Sequence, residues 1–508
     1  MGATCWWGCP LPATFKELQM SQDTTPQQLD STLALAVTAS PVLAASDPGT
    51  RASWLRAVAA ELDAHSDELV KLAETETHLP SGRLQGEVKR TSVQLGLFAD
   101  VIEEGSYLEV VIDLPDPEFA LGPKPDIRRM LVPLGPVGVF AASNFPFAFS
   151  VAGNDTASAL AAGCPVVVKA HPGHPETSRR AAELVQSALA GAGAPAGTFA
   201  LIEGMDAGVQ LVTDDRVTAA GFTGSVRGGR ALYDLATSRP TPIKFFGELG
   251  SINPAVVTRR AADERTAEIA DGFVSSFTLG VGQFCTKPGL LFVPAGHRLV
   301  DEIAQRTREV GAGELLYDKI ADGYGDTLGD VRRTEGVRTL VDGGPNEGLT
   351  AAPSLLAVSG ADFLRHADEL LTEVFGPTSV LVEYASDEEL KAALASMEGS
   401  LTTTVQGSDQ EAGELAELIA LLSRRSGRVI WNGWPTGVAV TWAMTHGGPY
   451  PATTLDYTSV GATAINRWLR PVSYQSAPAA LLPPALADDN PLQLTRRVNG
   501  RLTTDRLT

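Results

Sequence analysis

Two stretches near the start of the chain have the apolar spacing of helices that pack on one face. Apolar side chains recur every three or four positions in residues 52–79, and a second amphipathic stretch covers residues 83–103. Short β-like pieces at 110–112 and 128–131 then flank a segment with four prolines between residues 115 and 125. The pattern predicts packed helices followed by an extended arm that leaves the main body.

Beyond residue 136, short apolar runs alternate with amphipathic helical stretches. Predicted strands cover residues 137–142, 165–168, 199–202, 217–222 and 243–246, and predicted helices cover 155–162, 176–189 and 225–236. Strands of this kind, separated by helices, form a parallel sheet that is covered on both faces. Such a sheet binds ligands beyond the carboxyl ends of its strands.

A second α/β region begins near residue 253. Predicted helices cover residues 265–279, 297–310, 387–397 and 411–422, and predicted strands cover 290–293, 381–383, 402–406 and 429–432. Residues 311–329 are predicted to be a glycine-rich connection, and residues 433–451 have the glycine, proline and tryptophan content of a binding loop. The tail from residue 477 is expected to lie over the surface.

The acidic balance of the chain limits its partners. Its 508 residues carry a formal net charge of −20 and a pI near 4.8, whereas nucleic-acid binding needs clustered positive charge. An anionic substrate must therefore meet a local positive site within a repulsive overall field. A chain of this length is expected to form two large domains.

Cysteine usage and hydropathy indicate a cytoplasmic protein without a membrane segment. The four cysteines, Cys5, Cys9, Cys164 and Cys285, show no regular disulfide spacing, so free thiols in a reducing compartment are expected. No apolar run approaches bilayer length, and the start lacks the pattern of a secretory signal. Residues 1–22 read differently from the rest, and we expect a disordered extension with the natural start at Met20.

Cys285 is the strongest candidate for chemistry. It lies between glycines and a proline in residues 282–289, and a backbone turn of that composition displays the sulfur to a ligand. Upstream, Glu248 offers a carboxylate base and Asn144 offers an amide donor. This set fits thiol attack on a carbonyl.

Gly224 and Gly229 are candidate phosphate-binding residues. Gly224 ends a predicted strand and Gly229 lies one turn into the next helix, so a phosphate can approach the backbone and the helix N-terminus. Close packing of strand and helix explains the same glycines equally well. Lys169, at the end of another strand, is positioned to bind ribose hydroxyls, although a solvated lysine is the alternative.

Histidines and cysteines elsewhere do not predict a metal site. Cys164, His171 and His174 are close in sequence, but Cys164 opens an apolar strand and a fourth ligand at zinc spacing is missing. His446 lies in the loop of residues 433–451, so contact with the active site competes with ordinary packing as its explanation.

A resemblance to the aldehyde dehydrogenase superfamily covers residues 30–475. It rests on Asn144, Lys169, Gly224, Gly229, Glu248, Cys285 and the run Glu373-Val374-Phe375-Gly376-Pro377. The resemblance implies that Cys285 forms a thiohemiacetal, that the Asn144 amide and the Cys285 N–H hold the oxyanion, and that Glu248 activates water. It also implies roles in binding NAD or NADP, for Lys169 and Glu373 at ribose, for Gly224, Ser225 and Gly229 at pyrophosphate, and for Phe375 at nicotinamide.

Residues 142–146, 155–160, 169–175 and 447–454 are similar to a subgroup with α-ketoglutaric semialdehyde dehydrogenases and a bacterial fatty-aldehyde dehydrogenase. Two positions depart from the wider superfamily: Ser251 stands where glycine is frequent, and Pro172 stands where an acidic residue is frequent. Losing that carboxylate removes a repulsion toward a 2′-phosphate, so NADP is expected to be accepted.

The function implied by this resemblance is oxidation of 2,5-dioxopentanoate to 2-oxoglutarate. Phe145 and His446 are candidate substrate contacts. Succinic semialdehyde and long-chain aldehydes are alternative substrates. A CoA-acylating enzyme and a non-catalytic binding protein are alternative classes, and the presence of Glu248 and Cys285 argues against them.

The expected architecture is the α/β aldehyde dehydrogenase fold, with a Rossmann-like parallel-sheet cofactor domain, a second α/β catalytic domain and a small oligomerisation arm. Residues 23–110 and 131–247 are assigned to the cofactor domain, 248–454 to the catalytic domain, 111–130 and 455–476 to the arm, and 477–508 to the tail. The arm implies a homodimer or a homotetramer.

Overall fold

Four helices open the part of the chain that the computed structural model describes, residues 23–507. They are α1 (Pro26–Ala45), α2 (Pro48–Ala64), α3 (Ser66–Thr77) and α4 (Ser81–Glu104). Capping side chains fix two starts, since Thr25 accepts a hydrogen bond from the Gln28 N–H and Asp47 accepts one from the Thr50 N–H. The two predicted helical stretches are confirmed, and α1 is an addition that the pattern does not predict. The predicted extension, residues 1–22, lies outside the described residues.

A five-stranded parallel sheet follows the helices, as predicted. Its order is β5-β4-β3-β6-β7. The strands are β3 (Val137–Phe140), β4 (Val166–Lys169), β5 (Phe199–Ile202), β6 (Ala219–Thr223) and β7 (Lys244–Glu248), and the connecting helices are α5 (Asn154–Ala162), α6 (Pro175–Gly191), α7 (Met205–Thr213) and α8 (Val226–Ser238). The strand order reverses between β3 and β6, which is where sheets of this class bind ligands.

The second sheet has seven strands in the order β11-β14-β15-β9-β8-β16-β17, and all pairs except β11 with β14 are parallel. The strands are β8 (Ala255–Val257), β9 (Leu290–Pro294), β11 (Arg338–Val341), β14 (Ser354–Ser359), β15 (Thr378–Tyr384), β16 (Ser400–Gln406) and β17 (Ser426–Trp431). The helices are α9 (Arg259–Thr278), α10 (Leu299–Glu309), α11 (Asp318–Arg333), α12 (Gly360–Arg365), α13 (Ala367–Leu370), α14 (Asp387–Ser396) and α15 (Ala416–Ser423). A small sheet of β10 (Gly313–Glu314), β13 (Thr350–Ala352) and β12 (Gly344–Pro345) lies beside it.

Two predictions in this region are wrong. The supposed glycine-rich connection contains α11, whose buried Tyr324, Leu328 and Val331 have helical spacing, while Gly323 is exposed and its other two glycines are half-buried. The helix predicted for residues 411–422 is the shorter α15. Residues 411–415 form turns before it: Gly413 lowers the helix propensity there, and the Glu411 carboxylate accepts hydrogen bonds from the Ser408 N–H and the Thr258 hydroxyl.

The arm forms a third sheet, in the order β18-β2-β1-β19-β20. Its strands are β1 (Val111–Asp113), β2 (Ile127–Pro133), β18 (Leu469–Gln475), β19 (Arg496–Val498) and β20 (Arg501–Thr503). The tail does not simply lie on the surface, because β19 pairs in parallel with β1 and the side chains of Leu486 and Leu494 are buried. Among residues 23–507, no helix has the length and hydropathy that a bilayer crossing requires.

The packing of α11 generates a stability prediction. Leu328→Ala should remove buried contacts at a side chain that is 1% exposed, at a cost of about 2–5 kcal/mol. The matched change Gly323→Ala, on the exposed face of the same helix with open space for a Cβ, should leave stability unchanged or raise it by up to about 1 kcal/mol. Thermal unfolding measures both, and equal melting temperatures for the two variants would show that α11 is not a packed helix.

Candidate active site

The candidate residues of the first sheet meet at the carboxyl ends of its strands. Lys169 ends β4, Asn144 follows β3, Gly224 follows β6 and Glu248 ends β7. Parallel pairing puts these strand ends at one edge, next to the point where the strand order reverses. The edge predicted from sequence as the binding edge therefore carries all four residues.

The loop before Cys285 has an unusual backbone. Gly280, Val281 and Gly282 follow one another with φ values of +56°, +57° and +67°. A β-branched residue such as Val281 rarely adopts this conformation, so the surrounding contacts must hold it. A Cβ on Gly282 would lie 2.1 Å from the carbonyl oxygen of Gly376, so glycine is needed where the loop packs on residues 373–377.

Asn253 fixes the other side of the cysteine loop. Its Nδ2 donates to the carbonyl oxygens of Cys285 at 2.7 Å and Lys287 at 3.0 Å. Ser251 in turn donates to Asn253 Oδ1 at 2.7 Å and accepts from the Leu401 N–H at 2.8 Å. The serine that departs from the superfamily pattern thus joins the cysteine loop to β16, and no sequence motif pointed to Asn253.

Asn144 links the first sheet to the cysteine loop. Its Nδ2 donates to the carbonyl oxygen of Gln283 at 3.0 Å, two residues before Cys285. An amide nitrogen carries two hydrogens, and among the described residues this bond uses one of them. The loop that carries Asn144 is held by Arg83, which donates to its carbonyl oxygen at 2.7 Å, and by the buried Glu87, which accepts the N–H groups of Phe147 and Ala148.

Cys285, His446 and Glu248 lie in contact. Cys285 Sγ is 3.5 Å from His446 Nε2, and the same nitrogen is 3.6 Å from Glu248 Oε2. His446 is 1% exposed and Glu248 is 5% exposed, whereas Cys285 is only partly buried. The imidazole therefore stands between the thiol and the carboxylate, and the role of His446 as a substrate contact stays a prediction.

The loop of residues 432–461 brings His446 to the thiol. Its segment 452–454 pairs with the end of β7, through the Leu249 N–H to Ala452 and the Thr454 N–H to Gly247. Ser459 binds both bases, because its N–H donates to the carbonyl oxygen of His446 and its hydroxyl donates to Glu248 Oε1. Glu248 Oε2 and His446 Nδ1 lack hydrogen-bond partners within the described chain.

Burial perturbs the pKa of each group. It raises the pKa of Glu248 to about 8 and that of the Cys285 thiol to about 12, and for the thiol Glu248 and Glu373 act in the same direction. Burial also lowers the pKa of His446 to about 3, assisted by the charges of Arg428 and Arg90. At neutral pH the resting thiol and imidazole are therefore uncharged.

Aromatic and apolar side chains line the surroundings of the thiol. Phe145 packs edge-on against Phe149 and Phe284, with ring centroids 5.4 and 5.3 Å apart. Phe149 also contacts the His446 ring at 5.9 Å, and Val460 completes the cluster. We call Phe145, Phe149, Phe284 and Val460 the aromatic wall.

The predicted cofactor residues suit a dinucleotide. Lys169 is buried, and burial lowers its pKa to about 8. Its Nζ contacts Met205 Sδ at 3.9 Å, and since a thioether is a weak acceptor, the amine lacks a strong acceptor within the described chain. Ser225 caps α8, and residues 224–227 are exposed at that helix N-terminus. Gly229 also serves packing, since a Cβ there would lie 2.1 Å from Leu249. Both explanations of the glycines therefore find support.

The segment 373–377 lies beside the cysteine loop. Burial raises the pKa of the Glu373 carboxylate while the charge of Lys287 opposes this, and Lys287 Nζ donates to the carbonyl oxygens of Val374 and Thr378. A Cβ on Gly250 would lie 2.8 Å from Glu373 Oε2 and 2.9 Å from Val226, so Glu373 is close to the start of α8. Phe375 is half-buried between Glu373 and the Gly376 that packs on Gly282.

Asp155, His174 and Cys164 make structural contacts away from the thiol. Asp155 forms a buried ion pair with Arg467 at 2.6 Å. His174 uses both ring nitrogens in hydrogen bonds, to Ser178 Oγ and to the carbonyl oxygen of Ala142. Cys164 is buried, and its Sγ contacts the carbonyl oxygen of Trp468.

Sequence reasoning missed the buried charges around the wall. Glu87 and Arg90 lie on α4, and Arg428 lies on β17. A signal was available for Glu87, because it stands among the apolar residues that form the buried face of α4.

The fold and the site together define an α/β oxidoreductase with a cysteine where two parallel sheets meet. The model of the aldehyde dehydrogenase family matches residues 9–451, and the chain belongs to that family, as its sequence resemblance implies. Members of the family oxidise aldehydes with NAD or NADP.

Named relatives and solved structures agree with this. The chain is 45% identical to α-ketoglutaric semialdehyde dehydrogenase 2 of Azospirillum brasilense and 42% identical to α-ketoglutaric semialdehyde dehydrogenase of Acinetobacter baylyi, in both cases over 89% of this chain and 87% of the relative. The crystal structure of aldehyde dehydrogenase 21 from Physcomitrella patens, in complex with the reaction product succinate, shares the fold with a TM-score of 0.77 at 21% identity, over 91% of this chain and 92% of that chain.

The contact of Gly282 with Gly376 generates a prediction. Gly282→Ala should lower kcat/KM at least about tenfold, because the new Cβ must displace the cysteine loop from a rigid backbone. The control Gly296→Ala has the same left-handed backbone, with φ +70°, but open space around its Cβ. Both variants should lose about 1 kcal/mol of stability from backbone strain, and only Gly282→Ala should lose activity. Equal activities would mean that this contact does not position Cys285.

Proposed function

We propose that the chain oxidises 2,5-dioxopentanoate to 2-oxoglutarate, with Cys285 as nucleophile, His446 and Glu248 as bases and Asn144 as oxyanion donor. The observation that carries this proposal is the contact of one thiol, one imidazole and one carboxylate at 3.5 and 3.6 Å. Geometry of this kind is what thiol activation requires.

His446 is the group within reach of the thiol proton, and because burial lowers its pKa to about 3, it can accept that proton only in concert with formation of the carbon–sulfur bond. The resting thiol holds its proton because burial raises its pKa, so the proton must leave as sulfur bonds to the aldehyde carbon. His446 Nε2 is within reach of Sγ, and the resulting imidazolium would lie against Glu248 Oε2. The ionised form of Glu248, which its pKa of about 8 makes the minor form at neutral pH, would stabilise that charge.

Asn144 supports the oxyanion of the thiohemiacetal. The second N–H of Asn144 Nδ2 remains available beside Gln283, and the Cys285 backbone N–H is the partner donor implied by the family. Donors held in advance at a developing negative charge lower the barrier without reorganisation. Hydride then leaves the former aldehyde carbon, which becomes the carbonyl carbon of a thioester on Cys285.

Glu248 is the base for thioester hydrolysis. Its Oε1 is held by Ser459 and its Oε2 has no hydrogen-bond partner in the described chain, so the second oxygen is free to accept a proton from water. Water attacks the thioester carbon, Glu248 takes the proton, and the carbon–sulfur bond breaks to release the carboxylate. This requires the ionised form of Glu248.

A bound nicotinamide cofactor would accept the hydride. Lys169 and Glu373 would hold its ribose hydroxyls, the α8 N-terminus with Gly224, Ser225 and Gly229 would hold pyrophosphate, and Phe375 would lie at the nicotinamide. Acceptance of NADP is supported by Pro172, which removes a carboxylate. Asp23 and Glu203, whose charges act on Lys169, oppose a 2′-phosphate, so we expect both cofactors to be used.

The names of the two relatives support 2,5-dioxopentanoate as substrate, and Glu248 argues against release of the acyl group to CoA. Phe145 and the aromatic wall would contact the carbon chain. The arm, residues 111–130 and 455–476, supports a homodimer or homotetramer, and the division of the chain into domains and its cytoplasmic location remain proposals.

Comparison of aldehydes tests the substrate. With saturating NAD or NADP, kcat/KM for 2,5-dioxopentanoate should exceed that for succinic semialdehyde, pentanal and decanal by about tenfold or more. Acid formation must not depend on added CoA. A higher value for any other aldehyde of the panel would reject 2,5-dioxopentanoate as the preferred substrate.

The role of Glu248 can be isolated from that of Cys285. Glu248→Gln should keep a burst of one reduced cofactor per active site and lose steady-state turnover about 10²-fold or more, whereas Cys285→Ala should lose both. Because the carboxylate form is the base and its pKa is raised to about 8, wild-type turnover limited by hydrolysis should rise with pH through about 8. A burst-free Glu248→Gln variant, or turnover that is flat from pH 6 to 9, would contradict this assignment.

A further inference from the structure

Two guanidinium groups lie against the aromatic wall, and a third acts by its charge on groups beside it, in an otherwise acidic chain. Arg83 lies 5.1 Å from the Phe145 ring and 4.8 Å from the Phe284 ring, and Arg90 lies 5.7 Å from the Phe145 ring and 5.2 Å from the Phe149 ring. Arg428 acts on His446 and Cys285 by its charge. Three positive charges are thus concentrated near Glu87, Glu248 and Cys285, although the chain carries a net charge of −20.

Two of the three guanidinium groups are engaged elsewhere. Arg83 donates to the carbonyl oxygen of Asn144 at 2.7 Å, and Arg428 donates to the carbonyl oxygens of Gly437 and Pro435 at 3.0 and 2.6 Å. They support the loops that carry the site residues.

Arg83 Nη1 and Arg428 Nε also lack a partner, but both groups are hydrogen bonded through another nitrogen, whereas Arg90 makes no hydrogen bond within the described residues. Its Nε and Nη2 are buried and have no hydrogen-bond partner within residues 23–507. The nearby carboxylate of Glu87 acts on Arg90 by charge, but Glu87 Oε2 is likewise without a hydrogen-bond partner, so the two groups are not joined by a hydrogen bond through that oxygen. Ring faces stabilise a buried cation without satisfying its N–H groups, so two donors remain for an acceptor.

The position of Arg90 relates it to the thiol. Arg90 packs on Phe149, Phe149 packs on His446, and His446 contacts Cys285 Sγ. The charges of Glu248 and Cys285 both act on Arg90. A substrate whose aldehyde carbon is at Cys285 and whose chain runs along the aromatic wall therefore leads to this guanidinium.

We propose that Arg90 binds the carboxylate of an aldehyde substrate that carries its negative charge at the end opposite the aldehyde. This inference rests on the proposed function and adds the residue that selects the charged substrate. A guanidinium presents two parallel N–H groups to a carboxylate, and such pairs are short and directional. The same pairing satisfies the buried donors of Arg90 and offsets the cost of taking the substrate carboxylate out of water.

Substitutions on neighbouring positions of α4 test the proposal. Arg90→Met removes the charge and keeps an apolar side chain against the wall, while Arg90→Lys keeps the charge without the planar fork. Lys89→Met is the matched control, because Lys89 is exposed, pairs with Asp63 at 2.8 Å and carries the same charge one residue away. The substrates are 2,5-dioxopentanoate and succinic semialdehyde, with pentanal and butanal as neutral aldehydes of equal chain length.

Arg90→Met should lower kcat/KM for the two anionic aldehydes about 10- to 100-fold, mainly through KM, and change it less than about threefold for the neutral pair. Arg90→Lys should fall between wild type and Arg90→Met, and Lys89→Met should match wild type. Inhibition by glutarate, a five-carbon dicarboxylate, should weaken by a similar factor in Arg90→Met alone.

An equal loss for anionic and neutral aldehydes in Arg90→Met would overturn the proposal and make Arg90 a support of the aromatic wall. Unchanged kinetics and glutarate inhibition would overturn it as well. A wild-type enzyme that oxidises succinic semialdehyde but not 2,5-dioxopentanoate would reject the proposed substrate, and a selective loss with succinic semialdehyde would still support Arg90. Thermal unfolding and activity with pentanal verify that each variant is folded.

Discussion

The site depends on keeping a thiol, an imidazole and a carboxylate in contact where water is scarce. The three groups come from separate parts of the chain: Cys285 precedes β9, Glu248 ends β7 and His446 lies in the loop of residues 432–461. Burial favours the neutral form of each group, so at neutral pH the thiol and the imidazole are uncharged and Glu248 is mostly protonated. Ser459 donates hydrogen bonds to the carbonyl oxygen of His446 and to Glu248 Oε1. This one residue therefore helps to hold both bases in position.

The contacts that hold the cysteine loop in place explain why certain residues far from Cys285 in the sequence matter to the site. Asn253 and Ser251 tie the cysteine loop to β16, Gly282 lets it approach Gly376, and Asn144 ties it to the first sheet. Each bond joins elements that are far apart in sequence. Asn144 therefore joins the first sheet to the second, and the other contacts hold the cysteine loop within the second α/β region.

Sequence periodicity predicted the two parallel sheets because short apolar strands between amphipathic helices have few other ways to pack. It failed for α11, where three glycines obscured the spacing of Tyr324, Leu328 and Val331, and for the tail, whose β19 gains its strand form by pairing with β1 and β20. Cys285, Glu248 and Asn144 could be found from sequence through their motifs. Arg90 and Asn253 could not, because their importance lies in what they face across the cleft, and a single chain read in order does not show that.

The path of the tail also decides how the arm can grow. In the order β18-β2-β1-β19-β20, β19 of the tail pairs with β1. Among the described residues, the strands at the two edges of the sheet, where another strand could pair, are therefore β18 and β20. β18 presents seven residues of backbone and β20 presents three. Pairing of the tail with β1 thus leaves β18 as the longer open edge at which the sheet of another molecule could add a strand.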